Sequence, residues 1–283
     1  MTVEPLWNTD HPPRQGLGLM RLRDTGDADA DRDPAAVVHA ALDLGINVLD
    51  TAEMYGNEEL VGRTIAGRRD EVTLCTKFGV RWVGSEDFSV HADAASVVAS
   101  CEGSLRRLGV DTIDLYYLHH RSEDTPIEET VTAMADLIDA GKIRAIGLSN
   151  VTEEDVRRAH AVHPVFAVQE QWSLTSRSVE PMLPTLAERD VVLVAHSPTG
   201  HGVLHRSTGT SLGAALADIA DAHGVAAGTV ALAWIHEQGR RRGQRILPLP
   251  GTTSVNHLRA NVSAADLHLD DAQFDRLTSA DPT

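Results

Sequence analysis

Four side chains that can transfer or orient a proton stand where apolar segments of this sequence end. Asp50 ends one such segment, and Tyr55 follows it closely; Lys77 and His119 end the next two. A phenol is a weak acid with a pKa near about 10, and a neighbouring ammonium group makes proton release easier because it stabilises the phenolate. A carboxylate keeps such an ammonium group charged, and an imidazole can donate a hydrogen bond to the oxygen that receives the proton. The combination indicates proton transfer to a substrate oxygen, if the fold brings the four groups together.

The elements that carry these residues follow the pattern of a parallel barrel. Short β-branched apolar runs alternate with amphipathic stretches in units of roughly 25 to 45 residues, which indicates successive βα crossovers. The predicted strands cover 16–22, 47–52, 72–78, 112–119, 143–149, 166–171, 191–197 and 245–249. Eight strands close an α/β fold of the (β/α)8 TIM-barrel type, in which the carboxyl ends of all strands open onto one face. We therefore expect the four candidate groups to converge on that face.

Helical patterns fill the stretches between the strands. Apolar residues recur at three- and four-residue steps over 34–44, 94–108, 126–140, 153–162 and 229–237. Asp33 before Pro34 is typical of a helix start, and the glycines at 45, 109 and 141 are typical of helix ends. Two stretches, 79–93 and 201–210, fit no simple βα unit. Long loops at the carboxyl ends of strands build the substrate pockets of barrel enzymes, so we expect lids there.

Composition and charge restrict the class of protein. A chain of 283 residues with 42% hydrophobic residues predicts one domain over 1–283, with a core from about 16 to 277. No apolar run reaches the roughly 18 residues that span a bilayer, and the first residues are polar, so we expect neither a membrane span nor a secretory signal. Cys75 and Cys101 have neither metal-ligand nor disulfide spacing, which favours reduced thiols and a cytoplasmic location. A formal net charge of −16 disfavours nucleic acid and anionic lipid as partners.

Five segments of the chain closely resemble one enzyme family, the aldo-keto reductases. They are LDTAEMYG (49–56), TKFG (76–79), LRRLGVDTIDLYYLHH (105–120), TPIEETVTAMADLIDAGKIRAIGLSN (125–150) and PLPGTTSVNHLRAN (248–261). The similarity runs from about residue 16 to residue 277. The resemblance implies a (β/α)8 barrel that binds NADPH, usually in preference to NADH, in an extended pose and without a Rossmann domain. Consistent with this, no Gly-x-Gly-x-x-Gly stands at a strand-to-helix turn.

The resemblance also implies roles for individual residues. The family's catalytic tetrad falls on Asp50, Tyr55, Lys77 and His119. His119 rather than His120 is the match, because it directly follows the apolar run that ends at Leu118 and stands at the family's distance from Pro126. The contacts to the nicotinamide carboxamide fall on Ser149, Asn150 and Gln169.

Farther along the cofactor track, the chain departs from the family pattern. Trp172 stands where many relatives stack a tyrosine on the nicotinamide, and its larger ring is expected to stack as well. His196 and His201 replace a tyrosine and an arginine, which leaves Ser197 as the match for a pyrophosphate contact.

The segment after the last predicted strand is expected to hold the far half of the cofactor, because it opens a helix whose amides can bind a phosphate. The residues assigned to this part of the cofactor are Gly251, Thr252, Thr253 and Asn261. His257 stands where an arginine often grips the 2′-phosphate, and Ala260 replaces an acidic residue that usually meets the adenine.

Structural roles compete with several of these assignments. Asp50 and Lys77 could form an ordinary ion pair at strand ends, and Tyr55 could be a surface residue of a loop. His119 could be a satisfied core imidazole. The pair at 149–150 could simply cap the helix that begins near Glu153.

Other residues have two readings as well. Trp82 and Phe88 could line an apolar substrate pocket or serve only in packing, as could Met20 and Arg21. A metal site is not expected, although the chain has 14 histidines. Those at 196, 201 and 205 have no carboxylate or cysteine partner at ligand spacing.

We expect an NADP(H)-dependent oxidoreductase that reduces a small-molecule aldehyde or ketone to an alcohol, with Tyr55 as the general acid. NADH stays open as the cofactor. Two other functions stay open at this point: a nicotinamide-binding redox sensor or regulatory subunit with little turnover, and a dehydratase or isomerase on the same barrel. The substrate is not identified by the sequence, and a monomer is the commonest form in the family that the chain resembles.

Overall fold

Eight parallel strands form a barrel in the computed structural model of the chain, which describes residues 6–7, 12–24, 31–84, 87–205 and 209–281. In chain order the strands are β1 (Gly16–Gly18), β2 (Val48–Asp50), β3 (Thr73–Phe78), β4 (Val80–Trp82), β5 (Phe88–Val90), β6 (Ile113–Leu118), β7 (Ile143–Ser149), β8 (Val165–Gln171), β9 (Val192–His196) and β10 (Ile246–Leu249). All except β4 and β5 pair in the order β1-β2-β3-β6-β7-β8-β9-β10. A parallel bridge between Gly18 and Gly251 joins the two ends of this sheet. The predicted (β/α)8 fold is confirmed.

Helices surround the barrel. They are α1 (Pro34–Asp43), α2 (Glu58–Ile65), α3 (Ala94–Leu108), α4 (Ile127–Asp139), α5 (Glu153–Val162), α6 (Leu183–Glu188), α7 (Ser211–His223), α8 (Ala227–Arg242), α9 (Val255–Ser263) and α10 (Asp271–Ser279). The predicted start of α1 is confirmed, because the Asp33 side chain accepts a hydrogen bond from the Ala36 amide and Pro34 is the first helical residue. The helix predicted at 229–237 is longer at both ends than its apolar repeat indicates.

Side chains on the strands alternate between two apolar layers. Val48, Leu115 and Val192 face inward and help fill the barrel. Leu49 and Leu193, each adjacent to an inward residue, belong instead to the layer between strands and helices. Because the interior is filled with side chains, a polar site can form only at a barrel mouth, where the strands end.

The first strand ends earlier than the sequence predicts, at Gly18 instead of residue 22. Asn57 gives the physical reason. Its side-chain amide donates hydrogen bonds to the carbonyls of Leu19 at 2.8 Å and Leu22 at 3.1 Å. These carbonyls are therefore bonded to a side chain that lies after β2, and the segment 19–22 becomes part of the barrel mouth.

Both predicted lid segments lie beyond strand ends at this mouth. Residues 79–93 contain the antiparallel hairpin of β4 and β5. Residues 201–205 belong to a 3-10 segment, Gly200–His205, which is kinked at His201 and Gly202. Residues 85–86 and 206–208 lie outside the described residues. Within the ranges that are described, no helix is both long enough and apolar enough to cross a membrane.

Candidate active site

Lys77 lies at the centre of the site, with only 1% of its surface exposed. Its ammonium group donates to the carboxylate of Asp50 and to the carbonyl of Thr51 at 2.9 Å, and it lies 3.4 Å from the hydroxyl of Tyr55. Strands β2 and β3 are neighbours in the sheet, so Asp50 and Lys77 reach each other from adjacent strand ends. Three of the four predicted groups therefore meet, and the phenol lies beside a cation as the sequence predicts.

The charge of Lys77 is maintained by these partners. Burial by itself lowers the pKa of a lysine, but the carboxylate of Asp50 and the oxygen of Tyr55 act in the opposite direction, and the pKa of Lys77 is raised above its usual value. The site therefore contains a permanent ammonium group next to the phenol at neutral pH.

Tyr55 is positioned by a short, tightly bonded turn. It ends a 3-10 turn, Glu53–Tyr55, directly after β2. Gly56 follows with a φ of 67°, a left-handed conformation that glycine adopts without strain. Asn57 then accepts a hydrogen bond from the Thr51 hydroxyl at 2.6 Å, while its amide holds the segment after β1. Sequence reasoning missed Asn57, because its partners are far away in the chain and no local pattern marks them.

His119 lies against the ring of Tyr55, with the ring centroids 5.7 Å apart and the planes nearly perpendicular. Burial, together with the charge of Lys77, lowers the pKa of His119 to about 2. The imidazole is therefore neutral at physiological pH and can donate one hydrogen bond. Its Nδ1 is buried and has no hydrogen-bond partner among the described residues. The four predicted groups thus share one end of the barrel.

A cleft of about 330 Å³ runs from this group across the barrel mouth. Tyr55, Asp50 and Gln169 line its inner part, where the strands end. The rest of the cleft is bounded by the segments after β1, β9 and β10. The residues there include Met20, Arg21, Arg32, His196, Ser197, His201, Gly251, Thr252, Thr253 and His257. The volume is in the usual range for a small-molecule site.

The donors in the cleft fit a dinucleotide. In a chain with a net charge of −16, Arg21 and Arg32 both line this one cleft. At the bridge between β1 and the segment after β10, a Cβ on Gly251 would lie 3.1 Å from the carbonyl oxygen of Gly18. The glycine therefore allows two backbone segments to lie close together where the barrel closes. The two cations in the cleft are suited to an anionic ligand.

Comparison with known proteins agrees with this geometry. The model of the aldo/keto reductase family matches residues 15–282. The chain belongs to the aldo/keto reductase family. An aldo/keto reductase from Klebsiella pneumoniae, solved in complex with NADP and acetate, is 32% identical, with 94% of this chain and 90% of that chain covered and a TM-score of 0.77.

Two further solved aldo/keto reductase relatives are similar over most of their length. One from Klebsiella pneumoniae, in complex with NADPH, is 32% identical, with 96% of this chain and 93% of that chain covered and a TM-score of 0.77. The glycerol dehydrogenase AKR11B4 from Gluconobacter oxydans is 27% identical, with 95% and 91% covered and a TM-score of 0.82.

Ser149 ends β7, and Asn150 follows it directly. Asn150 adopts a φ of 53°, and its side-chain amide donates to the carbonyl of His119 at 2.9 Å and to the Ser149 hydroxyl at 3.1 Å. The competing capping role is wrong for this pair. Helix α5 is capped by Thr152, which forms a reciprocal capping box with Asp155.

Gln169 lines the cleft and contacts Asp50, a residue of the tetrad. It is 3% exposed, and its side-chain amide donates to the second oxygen of Asp50 at 2.9 Å. Tyr117 is hydrogen-bonded to Gln169 from the barrel interior, and burial raises the pKa of the Tyr117 hydroxyl well above its usual value. Gln169 therefore orients Asp50 towards Lys77, in addition to the carboxamide contact that the family resemblance implies.

Trp172 requires a correction. It is 0% exposed, packs against Trp234 with ring centroids 5.6 Å apart, and donates its indole N–H to Glu180 at 3.2 Å. A fully enclosed indole has no free face for a nicotinamide ring. His196, at the end of β9, lines the cleft instead, with its Nδ1 3.2 Å from the Ser197 hydroxyl.

Of the residues predicted to contact the phosphates and the far half of the cofactor, some line the cleft and one does not. Ser197 lines the cleft with a φ of 50°, and its hydroxyl is 3.4 Å from Nδ1 of His201. The segment 251–253 also lines the cleft, whereas Asn261 is mostly buried on α9. Arg32 was not predicted, because it lies in a loop without a recognisable motif. Among the described residues, no group of three histidine, cysteine or acidic side chains could hold a metal ion.

A larger cleft of about 890 Å³ lies at the opposite end of the barrel, near the start of the strands. Its central carboxylate, Asp114, accepts hydrogen bonds from Arg69 at 2.7 Å, from Arg144 at 3.2 Å and from the Leu74 amide at 2.8 Å. These charges satisfy one another and hold neighbouring strands together. None of the four predicted groups lines this larger cleft, whereas Asp50 and Tyr55 line the smaller one.

Proposed function

We propose that the chain is an NADPH-dependent reductase that converts a small-molecule aldehyde or ketone to an alcohol. The observation that carries this proposal is the hydroxyl of Tyr55, 3.4 Å from the buried ammonium group of Lys77 and beside the ring of His119, at the inner end of the cleft. A phenol held in this way can give its proton to an oxygen on which negative charge develops. Relatives solved with NADP and NADPH support the choice of cofactor.

NADPH, when bound, would supply a hydride to the carbonyl carbon. The residues proposed to hold it are Ser149, Asn150, Gln169, Ser197, Gly251, Thr252, Thr253 and Asn261. The neutral imidazole of His119 would donate a hydrogen bond to the carbonyl oxygen and so fix its direction. Tyr55 would then transfer its proton to that oxygen.

Lys77 and Asp50 act on this step without contacting the substrate. The ammonium group of Lys77 stabilises the phenolate that Tyr55 becomes after proton transfer. Asp50 compensates the buried charge of Lys77, and Gln169 fixes the direction of the carboxylate. One chain of hydrogen bonds therefore runs from Gln169 through Asp50 and Lys77 to the oxygen of Tyr55.

The test is the oxidation of NADPH in the presence of a panel of aldehydes and ketones, with wild-type protein and with Tyr55→Phe. We expect turnover to fall by about 10³-fold or more in this variant while NADPH affinity changes less than about twofold, since the hydroxyl acts mainly as charge develops. Tyr116→Phe is the matched control. The Tyr116 hydroxyl is buried, has no hydrogen-bond partner among the described residues and lies on a ring stacked against Phe78.

Near-normal turnover in Tyr55→Phe would remove this residue from the mechanism. Tight binding of NADPH without oxidation by any carbonyl compound would favour a redox sensor over an enzyme. Absence of binding to any nicotinamide nucleotide would favour a dehydratase or isomerase.

A further inference from the structure

A carboxylate is bonded to the first turn of α9, next to residues that line the outer part of the cleft. One oxygen of Asp31 accepts the hydroxyl of Ser254 at 2.7 Å, and the other accepts the backbone amide of Asn256 at 2.9 Å. The backbone carbonyl of Asp31 also accepts the amide of Val255 at 2.9 Å. Three groups of the first turn of α9 are therefore satisfied by one acidic residue from the loop after β1.

This carboxylate is ionised. The hydrogen bonds from Ser254 and Asn256, and then the charges of Arg32 and His257, hold the pKa of Asp31 below its usual value. A fixed negative charge thus lies beside Arg32 and His257, two of the residues that line the outer cleft.

The outer cleft is where the nucleoside far from the nicotinamide would lie. A nicotinamide nucleotide that reacts beside Tyr55 would have one end at the inner part of the cleft. Its remaining length would then lie along the rest of the cleft, which Gly251, Thr253 and His257 line. NADPH and NADH differ only on the ribose of that far nucleoside, by a phosphate in place of a hydroxyl.

A ribose hydroxyl and a ribose phosphate interact differently with a carboxylate. A ribose hydroxyl can donate a hydrogen bond to it, which is how an acidic side chain recognises this hydroxyl in other dinucleotide sites. A phosphate carries a charge of about −1.5 to −2 at neutral pH and has no proton to donate, so it is repelled. Arg32 attracts the same phosphate, and the two effects oppose each other at one end of the cleft.

We propose that Asp31 is a specificity-determining residue of this site, whose carboxylate lowers the affinity for a phosphate on the far ribose relative to a hydroxyl there. The inference rests on the proposed function, because it requires a nicotinamide nucleotide in the cleft. It assigns to Asp31 a role in cofactor choice, in addition to its bonds to α9.

The test is Asp31→Asn, with dissociation constants for NADPH and NADH measured separately by quenching of tryptophan fluorescence. Asparagine keeps a side-chain oxygen that can accept from Ser254 or from the Asn256 amide, but it has no charge. We expect NADPH to bind about tenfold more tightly and NADH to change less than about twofold, the effect of removing one like charge near a dianion in partly aqueous surroundings. Asp31→Ser, a second uncharged variant, should change the ratio of the NADPH and NADH dissociation constants in the same direction.

Asp33→Asn is the matched control. Asp33 lies two residues farther along the same loop, and its carboxylate caps α1 through the Ala36 amide at 2.8 Å, whereas the carboxylate of Asp31 is bonded to α9 beside the cleft. In Asp33→Asn, the ratio of the NADPH and NADH dissociation constants should stay within about twofold of wild type, because this carboxylate is bonded to α1 and not to α9, and solvent screens its charge.

An unchanged ratio in both Asp31 variants, or an equal change in Asp33→Asn, would overturn the inference while leaving the reductase intact. Parallel loss of affinity for both nucleotides would also overturn it, because Asp31 would then act only through the structure of α9. Wild-type protein that binds neither nucleotide would overturn the proposed function and this inference with it.

Discussion

Replacement of Lys77 with methionine tests the centre of the site, and it should affect stability and turnover for separate reasons. Methionine has a similar length and adapts to its surroundings, but it has no charge and donates no hydrogen bond. Asp50 is 3% exposed and would keep only the hydrogen bond from Gln169 at 2.9 Å. The carbonyl of Thr51 would lose its donor as well.

The magnitude follows from this burial. Removal of one partner from a buried ion pair destabilises a protein by about 3–5 kcal/mol, because the remaining charge is left uncompensated. Domains have a net stability of about 5–15 kcal/mol, so we expect Lys77→Met to fold with a greatly reduced free energy of unfolding. Turnover should fall by at least about 100-fold, since Tyr55 would lose the cation that stabilises its phenolate.

Urea unfolding followed by tryptophan fluorescence measures the first effect, and NADPH oxidation with a carbonyl substrate measures the second. The chain has one other lysine, Lys142, which pairs with Glu102 at the surface at 2.7 Å. Lys142→Met should destabilise the protein by less than about 1 kcal/mol and leave turnover unchanged. It therefore serves as the control for loss of a lysine.

The double variant Asp50→Asn with Lys77→Met separates the two effects. It removes the uncompensated carboxylate, so most of the lost stability should return, while turnover should stay low because the cation is still missing. The reasoning is refuted if Lys77→Met and Lys142→Met are equally stable, or if Lys77→Met retains near-normal turnover.

Three further outcomes are expected. The pKa of His119 is about 2 in the folded protein and about 6.5 when unfolded, so the unfolded state takes up a proton first and stability falls as pH drops from about 6.5 towards 2. His119→Gln should reduce the slope of the unfolding free energy against pH by up to about 1.4 kcal/mol per pH unit, measured by urea unfolding between pH 6 and pH 4. An unchanged slope would show that the imidazole titrates normally. Trp172→Phe should lower the free energy of unfolding by about 1–3 kcal/mol and leave nucleotide affinity nearly constant. His196→Ala should instead weaken nucleotide binding. If Trp172→Phe weakened nucleotide binding and His196→Ala did not, Trp172 would belong to the cofactor site. Trp82 and Phe88 are 55% and 45% exposed on the hairpin beside the barrel mouth. Trp82→Ala should therefore change the free energy of unfolding by less than about 0.5 kcal/mol but raise KM for apolar carbonyl substrates. An unchanged KM would exclude a substrate contact.

The sequence alone predicted the architecture and the convergence of the candidate side chains, because both depend on local patterns. Alternating apolar runs mark the strands, and a parallel barrel places every strand end on one face whatever the intervening segments contain. Asp50, Lys77 and His119 stand at such ends, so their residue types and order were enough to predict that they meet.

Only the tertiary structure showed which other residues contact these side chains or lie beside the cleft. Trp172 is at the end of a strand but is enclosed by Trp234 from a helix more than 60 residues away, which no local pattern reveals. Gln169 bonds to Asp50 across 119 positions, and Asp31 bonds to Ser254 across 223. These contacts depend on how loops and helices pack around the barrel. A side chain's partners there are determined by proximity in the folded protein, not by distance along the chain.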